Sequence, residues 1–399
     1  MKKTRRCVGF FLSIAISFLL VSGAYGLETV EMWSYVPEGN YLYTAIDIFN
    51  KSQNQVKVVA KNIPFGELKR QVAIAVAAGE PPDFMMIDNP DHASFTVMGA
   101  YTDITDRIAN WEYSGEDFFP GPWQSTVWEN RGYGIPIETN TLALFYNVDM
   151  FKEAGLDPNR PPTTWEELTS YAAKLTKPGV YGLSVSAIGT EEGTFQWLPF
   201  LWQNGVDIED LDNPRAVEAL ELWVNWMKKG YVSKEIVSMD QWSGVRVQFV
   251  NEGAAMMVNG PWCLPAMGEV NFKVALLPGR VEKASAMGGV NFAFFKGKNI
   301  DAVWEFIEWV YQPDNLEELA YKWGCLPVLK KVAETSPHWS DTVGKVFIEQ
   351  MKYARPRGPH PKWPQISEAI YTALQEALLG VKTSTQALKD AAKKIEKLI

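Results

Sequence analysis

The apolar and polar positions in the first third of the chain alternate in one stretch and recur at helical spacing in the next. Residues 28–36 open as a strand, 41–50 carry apolar residues at helical spacing, and 56–60 form a short β-branched run. A second helix is predicted over 66–78 and stops at Gly79. Pro81-Pro82 then lead into 83–87, apolar enough for a strand buried on both faces. This β-α-β-α-β order implies parallel strands covered by helices, with ligands held at the carboxyl ends of the strands.

The middle of the chain predicts a second set of elements. Thr164-Trp165-Glu166-Glu167 fits a capping box ahead of a helix over 168–175. The stretch 215–229 places Val217, Leu220, Val224 and Met227 on one helical face and stops at Gly230, while 254–258 and 272–277 read as strands of the same lobe. The C-terminal part is mainly helical over 301–311, 365–379 and 384–399. Ile366, Ala369, Ile370, Ala373, Leu374, Ala377 and Leu378 keep one apolar stripe, as a packing helix does. With no repeat, low-complexity block or long linker, the pattern predicts two lobes between which the chain crosses more than once.

The N-terminus follows a different rule. Lys2, Lys3, Arg5 and Arg6 precede an apolar run over 8–21 and a small, polar stretch over 22–26. That layout predicts a secretory signal peptide cleaved after Gly26, with Ala24 the alternative site, because the run is shorter than the roughly 20 residues of a membrane-spanning helix. No cysteine stands at the junction, so no lipid anchor is expected, and the place of action is periplasmic or extracellular. The leader holds four of the 38 basic and none of the 47 acidic residues, so the remainder carries a net charge of −13. Such a balance argues against nucleic acid as a partner.

Hydrophobic residues make up 47% of the chain, enough for a large core, and its 16 tryptophans stand out. An indole can lie flat on a sugar ring, but most are expected in core and about a quarter on ligand. Beyond the leader only Cys263 and Cys325 remain, and the sequence leaves open whether they pair. There is no phosphate loop, Cys-x-x-Cys, G-x-S-x-G or H-E-x-x-H motif, and His92, His338 and His360 share no metal-ligand spacing. No catalytic residue, cofactor or metal is therefore expected. Gly288-Gly289 reads as a tight turn, and Glu191-Glu192 as adjacent acids that point apart or into solvent.

Several segments, in order, resemble one family. They are Ala77-Ala78-Gly79-Glu80-Pro81-Pro82-Asp83, Tyr133-Gly134-Ile135-Pro136, Leu142-Ala143-Leu144-Phe145-Tyr146-Asn147 and Phe151-Lys152-Glu153-Ala154-Gly155-Leu156. Pro161-Pro162-Thr163-Thr164-Trp165-Glu166-Glu167-Leu168 follows, then Gly253-Ala254-Ala255-Met256 with Asn259-Gly260-Pro261-Trp262, Cys325-Leu326-Pro327 and the stretch 383–395. Together they resemble the extracellular solute-binding family 1, the maltose-binding-like receptors of bacterial sugar ABC transporters. The resemblance implies an α/β, two-lobed type II periplasmic-binding-protein fold, each lobe a mostly parallel sheet flanked by helices. It implies three crossovers, near 137–140, 288–292 and 326–329. The expected division is a signal peptide over 1–26, one lobe of 27–138 with 292–327, and another of 139–291 with 328–399.

The same resemblance carries over a ligand site. Trp262 matches the family's stacking tryptophan. The loop after the first strand offers Trp33, Tyr35 and Glu38, with Trp33 equally suited to a core. Asp88 and Asn89 follow the strand over 83–87, where the maltose-binding pattern has an aromatic near Asp88, and this departure points away from maltose. Glu138 and Asn140 sit at the first crossover, and Gly289 and Asn291 at the second. Phe195 and Trp197 fall in a loop whose counterpart stacks on sugar, with Trp197 equally suited to a core. Trp242 and Arg355 complete the set. The implied function is capture of a sugar or polyol by hinge closure and delivery to the permease subunits of an ABC transporter by a monomeric receptor. Two rivals stand beside it: a binder of a phosphorylated polyol such as glycerol 3-phosphate, with Arg355 or Arg357 on the anion, and a secreted glycoside hydrolase.

Overall fold

In the computed structural model, which describes residues 26–399, the N-terminal pattern becomes β1 (Glu28–Ser34), α1 (Tyr41–Ser52), β2 (Val56–Asn62), α2 (Phe65–Ala78) and β3 (Phe84–Asp88). The expected leader lies, but for Gly26, outside the described residues. Strands β2, β1 and β3 are adjacent and parallel, as helical crossovers between successive strands require. Asn40 caps α1 by accepting the Leu42 amide at 3.0 Å. Gly79, at φ +75°, ends α2 and turns its amide onto the Ala75 and Val76 carbonyls. All five residues of β3 are buried, with Phe84 and Met86 in one core layer and Met85 and Ile87 in the other.

Later elements build a second lobe and complete the first. β4 (Gly134–Thr141) passes through Leu142 alone into β5 (Ala143–Asn147). α3 (Trp165–Leu175), α4 (Glu191–Gln203), α5 (Pro214–Lys228), β6 (Met256–Asn259) and β7 (Phe272–Ala275) follow. β8 (Ser285–Phe294), α6 (Ile300–Val310), α7 (Pro313–Trp323) and β9 (Leu326–Pro327) come next, then α8 (Thr342–Met351), β10 (Ala354–Arg355), α9 (Trp363–Leu378) and α10 (Ser384–Ile395). The first sheet has the order β9-β4-β8-β3-β1-β2, with β10 beside the start of β8; the second has the order β6-β5-β7.

The expectation of a mostly parallel sheet in each lobe needs correction. β8 is antiparallel to both its neighbours β3 and β4, β9 is antiparallel to β4, and β5 is antiparallel to β6 and β7. For β8 the reason is topological: it returns from the other lobe, enters the first sheet at the carboxyl ends of β1 and β3, and must run against them.

Each sheet is packed on both faces. Alternation along β5 sends Leu144 into a core with Trp165, Trp197, Trp223 and Leu374, and Phe145 into another with Met257 and Phe347. The apolar stripe of α9 is buried throughout, as its spacing predicts. At α3, Thr164 Oγ1 accepts the Glu167 amide at 3.2 Å, but Glu167 returns to the amide and hydroxyl of Thr163, both at 2.8 Å, and not to Thr164. Cys263 and Cys325 are both buried free thiols. No described helix is long and apolar enough to cross a membrane.

Candidate ligand-binding cleft

The carboxyl ends of β1, β3 and β4 face α4 and the turns of the second lobe across a cavity of about 870 Å³. That volume lies in the range of small-molecule sites. From the first lobe come Tyr35 and Glu38 of the loop after β1, Tyr41 at the start of α1, Asp88 at the end of β3, and Glu138 and Asn140 on β4. Phe65 opens α2 beside them and packs edge-on against Tyr35 at 5.0 Å. The opposite wall is Glu191, Glu192 and Phe195 on the first turns of α4, with Asp240, Trp242 and Trp262. Phe195 and Trp262 lie 6.2 Å apart and tilted, so two ring faces line one side.

Arg357 ties the walls together. Its guanidinium, 3% exposed, takes Asp88 bidentately with both distances 3.1 Å, and donates to Glu191 Oε1 at 2.6 Å. Nη2 also reaches Asn89 Oδ1 and Nε the Met287 carbonyl, both at 3.3 Å. Glu191 is further held by Trp363 Nε1 at 3.1 Å. Every nitrogen of this arginine is engaged by the protein, which leaves it no free edge for an anion.

Burial pushes the Glu138 carboxyl up to about 7, against the stabilising donation from Asn140 Nδ2 at 3.1 and 3.2 Å. Burial likewise raises Glu192 to about 7, opposed by the Gln241 amide at 2.8 Å and reinforced by Asp240. Asn140 Oδ1 and Asn89 Nδ2 are buried without a hydrogen-bond partner. Two glycines allow β8 to press into this corner. A Cβ on Gly288 would stand 2.1 Å from Asn140 Oδ1, and Gly289, at φ +152°, would place one 2.7 Å from the Glu138 carbonyl. The pair is thus a close approach within a strand and not the tight turn expected.

The sequence model described as bacterial extracellular solute-binding protein matches residues 44–345. The chain belongs to this family. The solute-binding protein is similar in structure to an ABC transporter solute-binding protein from Thermotoga lettingae TMO bound with alpha-D-tagatose. That likeness has a TM-score of 0.87 and 27% identity, over 93% of this chain and 99% of the other. It shares its fold with maltose-bound MalE3 of T. maritima, at a TM-score of 0.83 and 24% identity over 93% and 100% of the two chains. It is also similar to the sn-glycerol-3-phosphate-binding periplasmic protein UgpB of Escherichia coli (strain K12), 24% identical over 97% of this chain and 96% of that one.

Within the solute-binding protein, nine of the residues carried over by resemblance line the cavity: Tyr35, Glu38, Asp88, Glu138, Asn140, Phe195, Trp242, Trp262 and Gly289. Five do not. Trp33 alternates away from the cleft into the core with Met85 and Tyr101, under the Lys61 ammonium. Trp197 lies in no loop; it belongs to α4, where two residues turn about 200° from Phe195 and so face the core. Asn291 follows an irregularity in β8 between Val290 and Asn291 that breaks the alternation from Gly289, and it bonds Ser125 at 3.0 Å. Asn89 sits behind the wall and holds Arg357. Arg355 lies at the surface, paired with Glu282 at 2.8 Å and Asp207 at 4.0 Å.

The sequence reading missed Glu191 and Glu192 as cleft residues, because adjacent acids on a helix differ by only about 100° and both can face one groove at its first turn. It named Arg357 only as an anion partner. Nothing local distinguishes Arg357 from Arg355, since the carboxylates that hold it come from distant segments.

Proposed function

We propose that this solute-binding protein captures a sugar or polyol between its lobes and delivers it to the permease subunits of an ABC transporter. The observation that carries the reading is the cavity itself, in which aromatic rings stand beside carboxylates and amides on both walls. Rings remove the apolar face of a sugar from water, at ~25 cal/mol per Å², while carboxylates and amides take its hydroxyls. The tagatose bound to the Thermotoga lettingae relative is consistent with that chemistry.

We assign Tyr35, Glu38, Asp88, Glu138, Asn140, Phe195, Trp242, Trp262 and Gly289 to the ligand wall, adding Glu191, Glu192 and Asp240, with Arg357 as the residue that positions Asp88 and Glu191. Of the proposed lobe boundaries, 27–138 with 292–327 and 139–291 with 328–399, the first falls inside β4, whose last residues stay in the first sheet, and the last leaves out Val328, Leu329 and Val332, which pack in the core with Met32 and Phe84. Arg357 links β3 of one sheet to α4 of the other lobe, which supports closure by a hinge. A secreted monomer without a lipid anchor, acting without catalysis, completes the proposal.

The second reading, a phosphorylated polyol, is favoured by the likeness to UgpB. Against it, Arg357 is already taken by two carboxylates and Arg355 faces outward. Mass spectrometry of ligand retained by gently purified protein tests the choice. A retained saccharide or polyol is expected; a retained phosphate ester would overturn the reading. Turnover of oligosaccharides, abolished by replacing a cleft carboxylate, would make the hydrolase reading win.

A further inference from the structure

The charge of the cleft says more about its ligand. Six carboxylates line the cavity, those of Glu38, Asp88, Glu138, Glu191, Glu192 and Asp240, against two cations, Lys322 and Arg357. Arg357 is spent on Asp88 and Glu191, which leaves Lys322 as the other cation among the described lining residues for Glu38, Glu138, Glu192 and Asp240, the last of which caps the Trp242 and Ser243 amides.

The hydrogen-bonding inventory is lopsided in the same sense. Asn140 is 8% exposed and lines this cavity, with its Oδ1 lacking any donor among the described residues. Glu192 uses Oε2 for the Gln241 amide, while Oε1 has no bond among the described residues. The Arg357 donors are all engaged. The wall is therefore rich in carboxyl oxygens and short of positive charge; burial raises Glu138 and Glu192 to about 7, and a ligand cation would hold both ionised. A neutral sugar can donate hydroxyls to these carboxylates but brings no charge to balance them, and an anionic ligand would add repulsion; a cation supplies donors and charge together. The ring faces of Tyr35 and Trp262 beside them suit a cation as well as a sugar.

We propose that the ligand carries a protonated nitrogen, as an aminated saccharide or polyol does, held among Glu192, Asp240, Glu138 and Asn140. This rests on the sugar-or-polyol reading and narrows it.

Matched sets of sugars test it at about pH 6.5, where a sugar amine is protonated. Each set holds a neutral sugar, its amino counterpart and the N-acetyl form, which keeps the nitrogen but not the charge: D-glucose, D-glucosamine and N-acetyl-D-glucosamine, with the galactose and mannose series alongside. Indole fluorescence titration should show the amino member bound at least about tenfold more tightly than the other two in at least one set. Glu192→Gln should shrink that preference to within about threefold at unchanged melting temperature. Asp240→Asn, which keeps the cap on the Trp242 and Ser243 amides, gives the same test of charge should Glu192→Gln fail to fold.

Absence of an amino preference in every set overturns the inference, as does a preference that survives both variants. Neutral sugars bound best would leave the sugar-binding reading standing. Binding of glycerol 3-phosphate with no sugar bound would sink that reading as well.

Discussion

Replacing Arg357 with Met keeps the apolar stem and removes the charge that joins β3 to α4. The guanidinium is 3% exposed, and its partners Glu191 and Asp88 have side chains 2% and 12% exposed. Losing it strands two carboxylates in a low-dielectric site, which costs about 3–5 kcal/mol where one partner of a buried pair is removed. At ~1.4 kcal/mol per decade, the unfolding equilibrium should move by roughly two to four decades. Equilibrium urea unfolding followed by tryptophan fluorescence reads this directly. Adding Asp88→Asn and Glu191→Gln should restore at least about half of the loss, because the amides remove the stranded charge. A loss below about 1 kcal/mol would place Arg357 with exposed ion pairs, and so would refute the buried-bridge argument. A triple variant no more stable than Arg357→Met would do the same.

Trp242 is 39% exposed on the cavity rim, so Trp242→Ala should weaken ligand binding at least about tenfold with little change in melting temperature; unchanged affinity removes it from the site. Trp262→Ala should lower both affinity and stability, because its ring lines the cavity and also packs against the cores of both lobes; a variant that keeps wild-type melting would contradict that dual role. Burial holds Glu138 up at about 7, above its ordinary 4.5, with Asp88 also raising it and Asn140, Cys325 and Arg357 opposing. The native state thus binds the extra proton, and this contribution, complete below about pH 4.5, is lost as pH rises through about 7. Wild type should accordingly lose about 1–3 kcal/mol more than Glu138→Gln between about pH 5 and pH 8; parallel urea-unfolding curves would refute the assignment. Gly288→Ala should push aside Asn140 and Phe195, lowering affinity and costing about 1–3 kcal/mol of stability, which calorimetric titration and unfolding together check.

The local pattern of the chain determined its order of elements. The apolar stripe from Ile366 to Leu378 lies buried on α9, the unbroken run of β3 is covered on both faces, and Gly79 ends α2 as a left-handed cap. Ordered motifs also placed the chain in its family, and nine of the residues they pointed to line one cavity. The pattern failed where burial has no period: α4 is buried on almost every side, so it shows no helical face and reads as a loop, and with it Trp197 as a cleft residue. It failed too at β8, where one irregularity turns Asn291 from the ligand side. The charge of the cleft was decided by tertiary structure alone. Arg357 meets Asp88 across 269 residues and Glu191 across 166, and periodicity records only which face of an element is buried, not which distant charges are buried together.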